Sequence, residues 1–268
     1  MVARAAGDEP GLVAREAAAA LAAFAGDPAA LVTACRRLVD RQPTSGPVWW
    51  LAARVLCAAD PAAEAWQAAE LLWDDPTPKL LAAALPDEVR VTVLGWPEQT
   101  GAALCRRGDV EALVVDSQGE GRGLVSQLRR SGNDAELVDE AGLGAAVAAS
   151  GLLLIEVHAL GPSGPHSGKA GVTGLVGVSG CRAAAAVARS SGVPVWVVAG
   201  RGRALPEPLW KALAGRVAAD PAPWSSPVEL APVAPPDLVA GPQGLRPAAE
   251  AAGDTDCPAA PELLRPGG

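Results

Sequence analysis

The run Arg90-Val91-Thr92-Val93-Leu94 decides the fold, because it is the first of several short, valine- and leucine-rich segments that alternate with helical ones. The later segments are Glu111–Val115, Glu136–Val138, Leu152–Val157 and Val195–Ala199. Such alternation is typical of a parallel sheet with crossover helices, and continuous apolar runs indicate strands covered on both faces. We therefore predict a Rossmann-like α/β domain over residues 86–218.

Helical patterns precede this sheet. From about Leu12 to Leu85 the apolar residues recur at helical spacing, and glycine or proline separates successive segments. Large aromatic residues in this region are mostly tryptophans, at Trp49, Trp50, Trp66 and Trp73. We expect these side chains to pack into the core of a small helical domain over residues 1–85.

Prolines dominate the end of the chain. From Asp220 to Gly268 they recur every few residues, and the segment has no apolar periodicity. A segment of this kind buries too little apolar surface to offset the entropy lost on ordering. We therefore expect residues 219–268 to form a disordered tail that can be removed without loss of the fold.

Composition narrows the possible functions. The formal net charge of −8 argues against binding nucleic acid through its phosphates. The sequence has no apolar run of the ~18–20 residues that a membrane span needs and no apolar signal segment, so we expect a cytoplasmic protein with no membrane partner. Lysine, isoleucine and asparagine are scarce beside alanine, glycine and arginine. This bias is typical of a high-GC genome, and we expect a high-GC bacterium.

The sequence contains segments that resemble cofactor-binding and metal-binding motifs, but none of these motifs is complete. The 5 cysteines have neither Cys-x-x-Cys nor zinc-site spacing, so we expect no bound metal and thiols that serve as small apolar residues. Gly142–Val147 imitates a dinucleotide fingerprint and Gly164–Ala170 imitates a phosphate-binding loop, but the spacing of the small residues is wrong in both. We therefore expect no cofactor.

Candidate site residues lie in the loops after the strands, because ligands of open parallel sheets bind beyond the carboxyl ends of the strands. The candidate ligand-binding residues are Gly95, Glu98, Gln99, Asp116, Gln118, Arg122, His158, Lys169, Ser179 and Gly180. Asp116 could hold sugar hydroxyls, and Arg122 or Lys169 a phosphate. The amino end of the helix beginning at Ser179 could hold an anion. Structural alternatives stay open, such as helix entry for Glu98 and an Arg122–Glu120 ion pair in solvent.

The order of elements from Val89 to about Leu213 resembles the family of initiation factor 2B alpha, beta and delta subunits. That family shares its fold with methylthioribose-1-phosphate and ribose-1,5-bisphosphate isomerases. The resemblance is carried by Val91–Gly95, by Val114–Gln118 with Gly121 and Arg122, by Glu136–Asp139, by Leu152–Leu160, and by Gly180–Val187 with Gly192–Val198. It implies a homodimer formed through the sheet domain, where the alanine-rich helix Ser179–Ser191 offers a flat surface of small residues.

The resemblance also implies where catalytic groups would lie. The isomerases place a catalytic cysteine in the loop after the first strand and a general-acid aspartate after the fourth long strand. Here the loop from Gly95 to Gly101 has no cysteine, Cys105 lies about a turn into the helix, and His158 occupies the aspartate's slot. Because proton shuttling between sugar carbons needs a positioned acid/base pair, we expect a non-catalytic member, a pseudoenzyme. Its residual pocket would bind a phosphorylated metabolite or a nucleotide, and its role would be assembly or regulation.

Two alternatives stay open. The first is a sugar-phosphate (aldose–ketose) isomerase with rearranged catalytic residues, in which His158 is the base and Asp116 or Glu98 its partner. The second is an interaction protein that acts through the proline-rich tail. If the pocket persists, His158 should lie at its floor, near Asp116 and the amino end of the Ser179 helix.

Overall fold

The computed structural model of the chain describes residues 10–162, 173–234, 237–251 and 253–264. Helices come first: α1 (Pro10–Ala22), α2 (Pro28–Arg41), α3 (Gly46–Cys57), α4 (Pro61–Trp73) and α5 (Thr77–Ala84). Strands and helices then alternate: β1 (Arg90–Leu94), α6 (Glu98–Leu104), β2 (Glu111–Val115), α7 (Gly121–Arg130), β3 (Asp134–Val138), α8 (Leu143–Ala148), β4 (Leu152–Gly161), β5 (Thr173–Val178), α9 (Cys181–Ser191), β6 (Val195–Val198) and α10 (Glu207–Ala218). The chain continues through β7 (Val228–Val233), β8 (Leu238–Gly241), β9 (Gly244–Pro247) and α11 (Ala248–Ala251). N-terminal helices followed by a mostly parallel sheet confirm the predicted α/β class.

Two of the N-terminal helices begin in the same way. The side chain of Asp27 accepts hydrogen bonds from the first free amides of α2, and that of Asp60 does the same for α4. Each aspartate is followed by a proline, Pro28 or Pro61, whose missing amide hydrogen costs nothing at a helix start. Local sequence therefore sets where these helices begin.

The tryptophans of the helical region divide into two groups. Trp49 and Trp50 on α3 are fully buried, because α3 packs against α1, α2, α4 and β4. Trp66 and Trp73 on α4 are 55% and 74% exposed, so the expectation that they pack in the core is wrong. The buried face of α4 is instead the stripe that contains Ala68, and α4 packs against α1. Both tryptophans of α4 lie outside this stripe.

The main sheet has the strand order β3-β2-β1-β4-β6-β8-β9. Neighbouring strands are parallel except β8 and β9, which form an antiparallel hairpin. β4 belongs to two sheets: its first half pairs in parallel with β6 up to Glu156, and its second half pairs antiparallel with β5 from Val157 onward. β5 then pairs with β7, so the second half of β4, β5 and β7 form a small antiparallel sheet. This small sheet shares β4 with the parallel sheet.

The end of the chain is folded onto the rest of the molecule, and the expectation of a disordered tail is wrong. β8 extends the main sheet, and β7 extends the small sheet. Asp256 accepts a 2.7 Å hydrogen bond from the indole of Trp50, which ties the last segment to α3. The prolines do not prevent this, because Pro232 lies in β7 at the edge of the small sheet and Pro247 ends β9. A strand on a sheet edge needs ladder donors on one side only.

We expect deletion of residues 220–268 to abolish cooperative thermal unfolding. The deletion removes β7, β8 and β9, uncovers one edge of β6 and exposes buried side chains that packed against them, such as Val197. Far-UV circular dichroism during heating measures the effect, and deletion of residues 265–268 alone is the matched control. Equal Tm values for the two truncated proteins would contradict this prediction.

Candidate functional site

A cleft of about 260 Å³ opens beyond the carboxyl end of β1 and beside the middle of β4, where β4 changes its pairing partner. We name it the β1–β4 cleft. Of the residues singled out from the sequence, Gly95, Glu98, Gln118 and His158 line it. One wall comes from the loop between α2 and α3, which contributes Ser45. The helical region and the sheet therefore both supply lining residues.

A buried ion pair lies at the base of the cleft. The guanidinium of Arg203, in the segment after β6, is 2.9 Å from a carboxylate oxygen of Glu156 and 3.7 Å from Glu98. The residue Arg203 is only 3% exposed, and it also donates to the backbone carbonyl of Val157. The other carboxylate oxygen of Glu156 accepts from the amide and the hydroxyl of Thr100, at 2.8 and 3.0 Å. This network ties together β4, α6 and the segment after β6.

Local backbone geometry brings His158 into the cleft. The register of β4 shifts between Val157 and Ala159, so His158 lies at the point where β4 changes its pairing partner. Irregularities of this type redirect a side chain from the regular alternation of a strand. Gly46, at the start of α3, lies close to this point, since a Cβ there would be 2.6 Å from the carbonyl oxygen of His158. The helical region is thus packed directly against the strand irregularity.

Burial and neighbouring charges shift the pKa values of three titratable residues of the cleft. Burial, aided by the positive charge of Arg203, lowers the pKa of His158 from 6.5 to about 4. The imidazole is therefore neutral near pH 7. Burial raises the pKa of Glu98 against the opposing effect of Arg203, and nearby Glu156 raises it further. Burial also raises the pKa of Glu120, which lines the same cleft.

Several candidate residues lie outside the lining of the cleft. The carboxylate of Asp116 accepts a 2.9 Å hydrogen bond from the amide of Gly121 at the start of α7. Asp116 therefore holds a helix start, and the structure does not bring it into the cleft lining with His158. Gln99 is buried beside Gly200, also outside the lining.

The remaining candidates are equally separate from the cleft. Arg122 does not line it, and within the described ranges no ion pair joins Arg122 to Glu120. Ser179 and Gly180 precede α9, but the carboxylate of Glu229 on β7 accepts from the amides of Gly180 and Arg182 at 2.8 and 2.9 Å. The amino end of α9 therefore already holds an anion from this chain. Lys169 lies outside the described residues.

Sequence reasoning missed Arg203 and Ser45. Arg203 follows the run Val195–Ala199 in a glycine-rich loop, so the rule that selected the other strand-end loops also applied there. Ser45 carries no such signal, because it comes from the helical region and reaches the cleft only through the tertiary fold.

A second cleft, of about 280 Å³, lies beyond the carboxyl ends of β6 and β8. Its charged lining residues are paired with one another: Arg246 with Asp254 at 2.6 Å, and Arg201 with Asp256 at 3.5 Å. The β1–β4 cleft differs in that its described lining has three glutamates and a single guanidinium, that of Arg203.

Neither metal ligation nor membrane insertion has support in the described parts of the chain. They contain no group of three or more His, Cys, Asp or Glu side chains that could hold a metal ion. No described helix is long and apolar enough to cross a membrane.

The chain has an α/β fold similar to that of eIF2B subunits, as the sequence resemblance implies. Matching structures include a tetrameric eIF2B-beta2-delta2 complex from C. thermophilum, with a TM-score of 0.70, 15% identity, and coverage of 92% of this chain and 88% of that one. eIF2B beta from Chaetomium thermophilum matches with a TM-score of 0.65 and 14% identity, over 91% of this chain and 85% of that one. The translation initiation factor eIF-2B of Pyrococcus horikoshii OT3 matches with a TM-score of 0.66 and 14% identity, over 75% and 76%.

At these identities the likeness establishes the shared fold. No protein-family model matches the sequence, and no curated protein does. The function therefore has to be argued from the cleft.

We expect the imidazole of His158 to remain neutral from pH 8 down to about pH 5, because its pKa is lowered to about 4. An NMR titration of the ring protons in a His166→Gln variant measures this, since only one histidine then remains. In the unfolded chain His158 binds a proton near pH 6.5, whereas in the folded chain it binds one only near pH 4. His158 therefore lowers the free energy of unfolding as the pH falls from about 6.5 to 4. A folded-state pKa of 6 or above would contradict the assignment.

Proposed function

We propose that this chain is a non-catalytic protein of eIF2B-like fold that acts in the cytoplasm by binding and assembly. The main support for this proposal is the ion pair between Arg203 and Glu156. Arg203 holds Glu156 as a structural carboxylate, and burial together with the charge of Arg203 keeps His158 neutral and weakly basic. These groups in the middle of β4 are therefore poorly suited to exchange protons with a substrate near neutral pH.

The position of the cysteines supports the same proposal. The loop from Gly95 to Gly101, where the resembling isomerases carry a catalytic cysteine, has none. Cys105 follows α6 and packs against the core on one face of β1 and β2 instead of lining the cleft. With neither member of the acid/base pair in place, a binding role fits the cleft better than isomerisation.

One observation favours the alternative of a rearranged isomerase. Glu98, whose pKa is raised, and His158 line the same cleft, so an acid and a base are present together. No hydrogen bond joins the two side chains in the described structure. The alternative therefore depends on a substrate bridging them.

We expect no aldose–ketose isomerisation of ribose 1,5-bisphosphate or methylthioribose 1-phosphate above the background of a His158→Ala/Glu98→Gln double variant. The reason is the weak basicity of His158 beside Arg203. Product formation followed by NMR at pH 7 measures this. Turnover by the parent chain that is lost in both single variants would overturn the non-catalytic assignment and establish the isomerase alternative.

The assembly part of the proposal concerns α9. The C. thermophilum structure is a tetrameric complex of beta and delta subunits, and we propose a homodimer for this chain. On α9, Cys181, Ala184 and Ala188 pack inward, while Ala183 and Ala186 are exposed on the opposite face. Small exposed side chains allow close approach of a second copy.

We expect the chain to have the mass of a dimer at micromolar concentration and the Ala186→Glu variant to have the mass of a monomer. A glutamate on this face would place two like charges near each other across a two-fold interface. Light scattering coupled to size-exclusion chromatography measures both masses. Ala63→Glu, at an exposed alanine of α4, is the matched control and should remain a dimer. A monomeric parent chain would refute the proposal.

A further inference from the structure

We propose that the β1–β4 cleft binds a small organic cation, an ammonium or guanidinium compound, rather than a phosphorylated metabolite or nucleotide. This inference rests on the proposed binding function of the cleft and names the class of ligand. It is carried by three independent features of the cleft: unbalanced carboxylates, a buried hydroxyl without a partner and a partly exposed indole.

The charge of the lining is negative. Among the described residues that line the cleft, Glu98, Glu120 and Glu156 are acidic, whereas Arg203 is the one permanent cation. The positive charge of Arg203 is already matched by Glu156 at 2.9 Å, and another of its N–H groups is used by the carbonyl of Val157. Glu98 and Glu120 are therefore left without full compensation.

Glu98 shows the imbalance most directly. Its oxygen Oε2 is buried without a hydrogen bond, and its nearest cation is the 3.7 Å contact with Arg203. Burial of an acidic group without a close counterion is unfavourable, and a ligand cation in the cleft would remove that penalty. A phosphate would increase it.

The second feature is Ser45. This residue is 3% exposed, it lines the cleft, and its hydroxyl has no hydrogen-bond partner. A buried polar group without a partner is costly, and buried hydroxyls of folded proteins are normally satisfied. The hydroxyl can accept a hydrogen bond from an ammonium or guanidinium N–H.

The third feature is Trp96. Its side chain lines the cleft and is 44% exposed, which leaves part of the ring available to a ligand. The ring lies against Gly123, where a Cβ would overlap it, so the position of the indole is fixed. A cation over an indole face is attracted by the ring quadrupole.

Other ligand classes fit less well. The described carboxylates do not converge into a group of three that could hold a metal ion, so the negative charge is spread over the cleft. The amino end of α9, where the sequence predicts an anion site, is filled by Glu229. A volume of about 260 Å³ is slightly below the range typical of drug-sized ligands, which indicates a small molecule.

The test uses the full chain and isothermal titration calorimetry with four probes: n-butylguanidine, n-butylamine, n-butanol and ribose 5-phosphate. We expect saturable binding of at least one of the two cations and none of the neutral alcohol or the phosphate. Glu98→Gln should weaken binding of that cation about tenfold, as expected for the loss of a charged hydrogen-bond partner. Trp96→Ala should weaken it about three- to fivefold.

Matched controls separate the cleft from the general surface. Glu140→Gln removes an exposed carboxylate outside the cleft, and Trp66→Ala removes an exposed indole on α4. Both should leave the affinity unchanged. Because Glu98 is largely buried, Glu120→Gln, at an exposed residue, is a second variant whose folding is not in question, and it should also weaken binding.

Failure of this inference is distinguishable from failure of the proposed function. Binding of neither cation, equal binding of n-butanol, or equal losses in the control variants would overturn the cation assignment. Binding of ribose 5-phosphate that becomes tighter in Glu98→Gln would overturn it too, but would leave the binding role intact. Isomerase turnover would overturn the non-catalytic function whatever the titration of the cations shows.

Discussion

Arg203 and Glu156 form an ion pair that is almost completely removed from solvent, and the geometry of the cleft depends on it. Removing two charges from water costs several kcal/mol for each ion, and such pairs are tolerated when their other donors and acceptors are used. Here Thr100 occupies the second carboxylate oxygen, and the carbonyl of Val157 accepts from the guanidinium. Loss of either partner would leave a buried charge uncompensated, at a cost of about 3–5 kcal/mol.

The ion pair lies where β4 exchanges its parallel partner for an antiparallel one. A strand that changes partners leaves backbone groups outside the regular ladder, and buried groups of this kind need other partners. Arg203 supplies one at the carbonyl of Val157, directly before His158. Burial lowers the pKa of His158, and the same positive charge lowers it further. The residue that satisfies the strand irregularity therefore also helps to weaken His158 as a base, which links the fold to the absence of isomerase chemistry that we propose.

The sequence predicts those strands and helix faces whose signal lies within the segment itself, and it fails where distant segments decide the packing. The runs that became β1, β2, β3, β4 and β6 were recognised because a strand covered on both faces is continuously apolar. The strands β7, β8 and β9 were missed because they contain or adjoin prolines. In addition, β7 and β8 pair with β5 and β6, which are far away in the sequence. Trp66 and Trp73 were misassigned for a related reason. Helical spacing places both on one face of α4, but only the packing against α1 decides which face is buried.

For the cleft, the strand-end rule predicts positions but does not predict the sign of the charge. The rule correctly selected four lining residues, because the carboxyl ends of parallel strands lie at one edge of the sheet. These residues are Gly95, Glu98, Gln118 and His158. Whether this edge of the sheet attracts an anion depends on residues that lie far away in the sequence. Glu229, from the segment expected to be disordered, fills the amino end of α9, while Pro227 and Val228 beside it form part of the wall of the cleft. The segment that includes β7 thus helps to shape the cleft and fills the helix end with a carboxylate, so the cation selectivity that we propose depends on the folding of this last part of the chain.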